Sequence, residues 1–93
     1  MFKVNEYFDG NVKSLGFDNS AGRFTVGVMA AGSYTFGTNC KEEMTLISGQ
    51  MAVKLPGETA LRTIAIGETF AVPADIKFDV QIGEAAAYLC KYL

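Results

Sequence analysis

The chain contains no histidine and no tryptophan among its 93 residues, and only two cysteines, Cys40 and Cys90. Without imidazole, any acid–base catalysis or transition-metal binding has to use other side chains. Arg23 and Arg62 are the only arginines, the net charge is −2, and no basic tract is present. We therefore expect no binding to nucleic-acid polymers, because their phosphates require a cluster of basic groups.

Long apolar runs are missing as well. No segment approaches the ~20 consecutive apolar residues of a membrane-spanning helix, and residues 1–6 lack the basic and then apolar pattern of a signal peptide. The cysteines form no CxxC motif and are expected to be free thiols. These absences predict a cytoplasmic protein without a membrane partner. The chain length predicts a single domain over residues 1–93, and the 49% hydrophobic content favours a homodimer formed through one sheet face.

What the chain does contain is an alternation of side chains with a period of two, which is typical of half-buried β-strands. The alternation covers residues 24–31, 51–55, 76–83 and 88–93. Turn sequences rich in glycine, aspartate, asparagine and proline separate such runs, about every ten residues. No segment has the apolar spacing of a long helix. The pattern predicts an all-β, antiparallel sandwich or barrel.

Two spaced motifs make the fold prediction more specific. The first spans residues 32–49 and includes Glu42, and the second spans residues 67–78 and includes Pro73. Their spacing resembles the paired motifs of the cupin superfamily, which implies a small antiparallel jelly-roll β-barrel. In metal-binding cupins the first motif supplies two histidines and a glutamate, and the second supplies one more histidine.

The histidine positions of these motifs are changed in this chain. The resemblance places them at or near Phe36, Thr38 and Phe78, whereas Glu42 keeps its position. A transition-metal site needs several imidazole, thiolate or carboxylate donors that converge on one point. The remaining donors near Glu42 are too few and too close in sequence, so we expect no metal site.

A second resemblance covers the whole chain. The segments that carry it include Asn5-Glu6-Tyr7-Phe8, Val26-Gly27-Val28-Met29, Gly32-Ser33-Tyr34-Thr35-Phe36, Glu42-Glu43-Met44-Thr45, Ile47-Ser48-Gly49 and the terminal Tyr88-Leu89-Cys90-Lys91-Tyr92-Leu93. With these segments the chain resembles the small bacterial pyrimidine/purine nucleoside phosphorylases. The resemblance implies phosphorolysis of a broad range of nucleosides to the free base and a pentose 1-phosphate. It implies no cofactor, with phosphate as the co-substrate.

Phosphorolysis passes through a cation-like sugar, so its site must hold phosphate, orient the ribose and stabilise the departing base. We predict that Arg23 holds phosphate, because its guanidinium fork matches phosphate oxygens. The alternative is a solvated arginine before a strand. Glu42 and Glu43 open a strand, where successive side chains point to opposite faces. Shared parity with Met44 predicts that Glu42 is catalytic and faces inward, with Glu43 as a substrate-binding candidate. The alternative is a charged pair that keeps a strand edge soluble.

Aromatic and hydroxyl side chains complete the candidate site. Tyr34 is the third predicted catalytic residue, because its hydroxyl could reach phosphate or ribose. Phe36 and Phe78 are predicted to stack on the nucleobase. Stacking accepts every base, because each base has an aromatic face. The alternative is that they only fill the space of the absent metal. Thr38 and Asn39 are predicted polar substrate contacts on the rim.

Three functions compete at this point. The first is a metal-independent nucleoside phosphorylase, and the second is a non-catalytic cupin that binds a nucleoside or sugar-like metabolite. The third is a structural dimer with a plugged barrel. Binding and catalysis use the same residues, so only the family resemblance favours the enzyme.

Overall fold

The computed structural model describes residues 2–93, which form eight β-strands and no helix. The strands are β1 (Lys3–Tyr7), β2 (Val12–Asn19), β3 (Gly22–Met29), β4 (Gly32–Gly37), β5 (Glu42–Lys54), β6 (Arg62–Ile64), β7 (Thr69–Val72) and β8 (Lys77–Tyr92). The part of the chain described therefore contains no helix able to cross a membrane. The all-β prediction is confirmed.

All eight strands belong to one antiparallel sheet in the order β1-β2-β3-β8-β5-β6, with β4 paired to β8 and β7 paired to β5. β8 pairs with β3 through its second half and with β4 through its first half. β5 runs beside β8 along its whole length. The sheet folds over on these two long strands in the manner of a cupin jelly roll, although hydrogen bonds among residues 2–93 do not close it.

The fold-over depends on an irregular stretch of β5. The register between β5 and β8 shifts between Leu46 and Met51, which is the signature of β-bulges. Gly49 lies in this stretch with φ +96°, a conformation that favours glycine. A Cβ atom at Gly49 would overlap the carbonyl oxygen of Ala85 and lie 2.7 Å from the Cα of Ala86. The glycine therefore lets β5 and β8 approach each other where both strands bend.

The alternating pattern identified strands correctly but did not reveal which phase faces the core. In β3 the buried residues are Thr25, Gly27 and Met29, whereas Val26 and Val28 are exposed. The predicted runs 76–83 and 88–93 also form one continuous strand of 16 residues. Small residues at this junction, Gly83 and Ala85 to Ala87, allow the strand to bend without ending.

Candidate functional site

A cavity of about 370 Å³ opens inside the fold and is lined by residues from six strands and the β1–β2 turn. Its walls fall into three groups. An aromatic wall contains Phe8, Phe36 and Phe78, a polar floor contains Ser14, Tyr88 and Cys90, and the mouth contains Glu42 and Tyr92. The inner faces of β2, β5 and β8 thus place polar groups opposite aromatic rings.

Strand register explains what meets at the mouth. Tyr92 on β8 pairs with Arg23 on β3 and with Glu42 on β5, so the three side chains share one row and one face. The Arg23 guanidinium carbon lies 5.2 Å from the centre of the Tyr92 ring. Arg23 and Glu42 are two strand spacings apart, about 10 Å between backbones, and form no ion pair. A cation and a carboxyl group therefore flank one tyrosine.

Glu42 is half-buried, and no basic side chain among residues 2–93 forms an ion pair with it. Its polar partner is the Cys90 thiol, which donates a hydrogen bond to Oε1 over 3.3 Å. Burial raises the pKa of Glu42 above its usual value, and the hydrogen bond from Cys90 partly opposes that rise. The cavity thus shifts the ionisation of Glu42 toward the protonated carboxyl, compared with a carboxyl group in water.

The raised pKa of Glu42 predicts a pH-dependent effect of Glu42→Gln on stability. A carboxyl whose folded pKa exceeds its unfolded value stabilises the fold only while it stays protonated. We expect the variant to be more stable than the parent at pH 8, and the gain to vanish below the unfolded pKa of about 4.5. Urea unfolding across this pH range measures the difference. Glu43→Gln on the other face of β5 is the control, and an equal pH-dependent gain there would contradict the prediction.

The polar floor forms a hydrogen-bonded group. Asn5 Nδ2 donates to Ser14 Oγ over 3.3 Å, and the Ser14 side chain partly opposes the rise in the pKa of the nearby Tyr88. Burial raises the pKa of Tyr88 to about 12, so its phenol keeps its proton. Gly27 creates the space, because a Cβ there would lie 2.7 Å from the Tyr88 hydroxyl oxygen. The floor therefore offers neutral donors and acceptors to a ligand.

Cys90 in the floor and Tyr92 at the mouth also stay protonated. Burial raises the pKa of both Cys90 and Tyr92. The Tyr92 hydroxyl shares a 3.0 Å hydrogen bond with the Thr25 hydroxyl. Because the thiolate is the nucleophilic form of cysteine, Cys90 is suited to donate a hydrogen bond and poorly suited to attack a substrate.

The aromatic wall has one exposed and one buried side. Phe36 and Phe78 lie with ring centres 6.0 Å apart, and Phe8 meets Phe36 edge-on at 5.5 Å. Phe78 is only 3% exposed, whereas Phe36 is half-buried and Phe8 is exposed. Phe36 and Phe8 are therefore the rings that a planar ligand can reach, while Phe78 supports them from the core.

A second recess of about 480 Å³ adjoins the cavity and shares Tyr7 and Tyr92 with it. Its lining includes Arg23, Lys3 and Asn39. The recess also contains the exposed Asp18, which pairs in register with Arg23 but forms no ion pair with it. Arg23 Nη2 donates only a long contact, 3.8 Å, to the Cys40 sulfur. Its guanidinium fork is thus free to receive an anion.

Three predicted site residues lie elsewhere. The Tyr34 hydroxyl donates to the Ala30 carbonyl over 2.6 Å, and its ring supports the aromatic wall from behind. Thr38 donates to the Pro73 carbonyl over 2.7 Å and so fastens a loop. Glu43 pairs in register with Ala71 and Lys91 on the outer face. The direct substrate contacts predicted for these three are therefore not supported by the geometry, because backbone partners or strand parity direct them away.

Several cavity residues escaped the sequence analysis. They are Tyr7, Phe8, Ser14, Tyr88, Cys90 and Tyr92. A usable signal existed in β8, where the terminal segment alternates Tyr88, Cys90 and Tyr92 on one face. Gly27 was a second signal, because a glycine inside a strand often marks the close approach of another group.

The described residues contain no group of three or more cysteine, aspartate or glutamate side chains placed to hold a metal ion. Phe36 and Phe78, at or near the positions where the resemblance to metal-binding cupins places histidines, offer no donor atoms. Glu42 and Cys90 are the only such donors in the cavity wall. The donor set therefore does not fit the metal of those cupins.

Comparison with known proteins agrees with this description. The family profile described as pyrimidine/purine nucleoside phosphorylase matches residues 2–92. A Pseudomonas paraeruginosa protein with that name is 53% identical over 92 residues, which is 99% of each chain. A solved Vibrio parahaemolyticus protein of unknown function has a TM-score of 0.95 and 46% identity, covering 100% of this chain and 99% of the other.

A more distant likeness concerns the fold alone. An RmlC-like cupin from Shewanella frigidimarina has a TM-score of 0.75 at 13% identity, covering 98% of this chain and 82% of the other. This likeness agrees with the jelly-roll topology of the long strands β5 and β8. The full-length sequence match is far stronger, and the chain belongs to the pyrimidine/purine nucleoside phosphorylase family.

Proposed function

We propose that the protein is a metal-independent pentosyltransferase that cleaves purine and pyrimidine nucleosides with phosphate. The observation that carries the proposal is the row Arg23–Tyr92–Glu42 across the mouth of an aromatic-walled cavity. It supplies a cation for phosphate and a carboxyl group for the sugar or the base. The name of the relatives, pyrimidine/purine nucleoside phosphorylase, supports the same reaction.

The division of the site into two spaces supports separate positions for the two substrates. The nucleoside occupies the cavity, with its base against Phe36 and Phe8, since stacking accepts any base. Phosphate occupies the adjoining recess beside Arg23, near enough to the shared wall of Tyr92 to reach the sugar. A cavity of about 370 Å³ suits a nucleoside rather than a nucleic-acid polymer.

The kind of catalysis that these residues can provide supports the proposed metal independence. An arginine fork and hydrogen-bond donors stabilise phosphate and developing charge by position and electrostatics. No step of this scheme needs a Lewis acid. The free state of Cys40 and Cys90 is consistent with a cytoplasmic location, where thiols stay reduced.

A phosphate-dependence assay tests the function. Metal-stripped protein is incubated with uridine or adenosine, with and without phosphate, and free base and pentose 1-phosphate are quantified by chromatography. We expect both products in equal amounts only when phosphate is present. Nucleoside binding without base release would favour the non-catalytic alternative, and release that requires added metal would contradict metal independence.

The proposed enzyme acts as a homodimer through the outer face of β1, β2, β3 and β8. Val4, Leu15, Val26 and Leu89 form one apolar row across these four strands. Val4 is 66% exposed, and the row borders an apolar groove of about 390 Å³. The Glu6–Lys13 ion pair in the next row, 3.5 Å long, supplies both charges. A two-fold axis can therefore place Glu6 of one copy opposite Lys13 of the other.

Val26→Lys is expected to dissociate this dimer. An unpaired charge in the centre of an interface costs about 2–5 kcal/mol, which raises the dissociation constant at least about 30-fold. Sedimentation equilibrium measures the change. Ile66→Lys is the matched control, because Ile66 is a 65% exposed aliphatic residue in the β6–β7 turn. A parent protein that is monomeric at all concentrations would contradict the dimer.

A further inference from the structure

We propose that Glu42 is the proton donor to the departing base and that the Cys90 thiol positions it. This inference rests on the proposed phosphorolysis and assigns a step within it. It departs from the simpler role of a carboxylate that steadies the cationic sugar.

The surroundings of Glu42 favour its role as a proton donor. From β8, Cys90 and Tyr92 face it with neutral hydrogen-bonding groups, and from β7 the register partner is the apolar Val72. Arg23 on β3 lies beyond Tyr92, and none of the ion pairs among residues 2–93 includes Glu42. Burial without a counter-ion shifts a carboxyl group toward its protonated form, compared with the same group in water.

The geometry also leaves one oxygen for the substrate. Cys90 donates to Oε1, so Oε1 is occupied and the carboxyl plane is held. Oε2 has no protein partner among residues 2–93 and is the free atom of a group that lines the cavity. A protonated Oε2 can therefore donate to a base nitrogen or carbonyl oxygen.

Glu42 is also the strongest acid within the cavity wall. It contributes the only carboxyl group there, beside the phenols of Tyr7, Tyr88 and Tyr92 and the thiol of Cys90. Burial raises the pKa of Tyr88, Tyr92 and Cys90, which makes these groups poorer donors still. A phosphate dianion beside Arg23 would further favour the protonated form of Glu42 and would be repelled by its carboxylate.

The reaction transfers the pentose from the base to phosphate. An oxygen of hydrogen phosphate forms a bond to the anomeric carbon while the bond from that carbon to the base nitrogen breaks. The electron pair of the broken bond passes to the base, which takes the proton from Glu42 Oε2. The hydrogen phosphate brings its own proton into the pentose 1-phosphate. The product loses this proton and the Glu42 carboxylate takes one up, which restores the neutral Glu42.

A pair of substrates tests the donor role. Guanosine needs a proton on its departing base, whereas 7-methylguanosine already carries a positive charge on the base and needs none. We expect Glu42→Gln to lower kcat/KM for guanosine by about 10²–10³-fold and to lower it less than about fivefold for 7-methylguanosine. Equal losses on both substrates would overturn the proposal and leave Glu42 as a ribose contact.

The pH profile supplies an independent readout for Cys90. Guanosine phosphorolysis by the parent should fall as the pH rises through the pKa of Glu42, whereas Glu42→Gln should lack that limb. The Cys90 hydrogen bond lowers the pKa of Glu42, so Cys90→Ala should move the limb to higher pH and Cys90→Ser should restore it. An unmoved limb in Cys90→Ala would overturn the positioning role.

Controls distinguish a failure of the proton-donor role from a failure of the proposed phosphorolysis. Rates on 7-methylguanosine in the same phosphate buffers correct for the titration of phosphate itself. Unfolding curves of each variant exclude loss of the fold. If the parent cleaves neither nucleoside, the phosphorolysis is wrong, whereas cleavage of both with identical sensitivity to Glu42→Gln refutes the proton donor alone.

Discussion

Arg23→Ala is expected to raise the KM for phosphate about 30- to 150-fold while it changes the KM for nucleoside less than threefold. The removed guanidinium fork would take with it charge-assisted hydrogen bonds worth about 2–3 kcal/mol in total, and each 1.36 kcal/mol corresponds to about tenfold. Initial rates at varied phosphate, with nucleoside saturating, measure the effect.

Two matched variants sharpen this experiment. Arg23→Lys keeps the charge but loses the fork, so it should recover only part of the phosphate affinity. Arg62→Ala removes the other arginine, which forms ion pairs of 3.7 Å with Glu58 and with Glu68. It should leave both KM values within twofold of the parent. Parallel increases in both KM values for Arg23→Ala would remove Arg23 from the phosphate role.

Gly49→Ala is expected to destabilise the fold by about 3–5 kcal/mol, a large share of the 5–15 kcal/mol typical of a domain. The positive φ of +96° strains any L side chain, and the new Cβ would meet Ala85 and Ala86 of β8. A strained φ costs about 1–3 kcal/mol, and overpacking costs a similar amount. Urea unfolding at fixed protein concentration gives the loss as a lower midpoint with an unchanged slope.

Gly57→Ala separates the two causes of this loss. Gly57 also has a positive φ, +86°, but a Cβ there would meet nothing within 4 Å. The control therefore reports the backbone strain alone, about 1 kcal/mol. If both variants lose the same stability, the close approach of β5 and β8 at Gly49 is not what requires the glycine.

The strands could be predicted from the sequence more fully than the site, and the reason is physical. Period-two alternation reports that a segment is extended, and turn residues report where it reverses, so the strand content was accessible from local sequence. Neither reports which face is inner. In β3 the apolar Val26 and Val28 face outward, and the inner position between them is Gly27, where the Tyr88 side chain takes the space that a Cβ atom would need.

The site was predicted where strand parity decided it. Glu42 was placed inward by its parity with Met44, and both line the cavity. Tyr34 has the right parity for the interior but a side chain long enough to reach the Ala30 carbonyl, which takes its hydroxyl. Hydrogen-bond partners across a turn depend on loop geometry, so no pattern in the sequence could indicate that choice.

The absence of histidine can be interpreted only together with the tertiary structure. The sequence alone determined that no imidazole is available and that the chain is built from strands, and its resemblance to cupins placed the missing ligands at or near Phe36, Thr38 and Phe78. The tertiary structure decided that Arg23, Tyr92 and Glu42 share one row, because register across β3, β8 and β5 joins residues far apart in the chain. It also decided that Cys90 is Glu42's partner. Such pairings are set by bulges and strand bends, which shift register by single residues and have no local signature beyond a glycine.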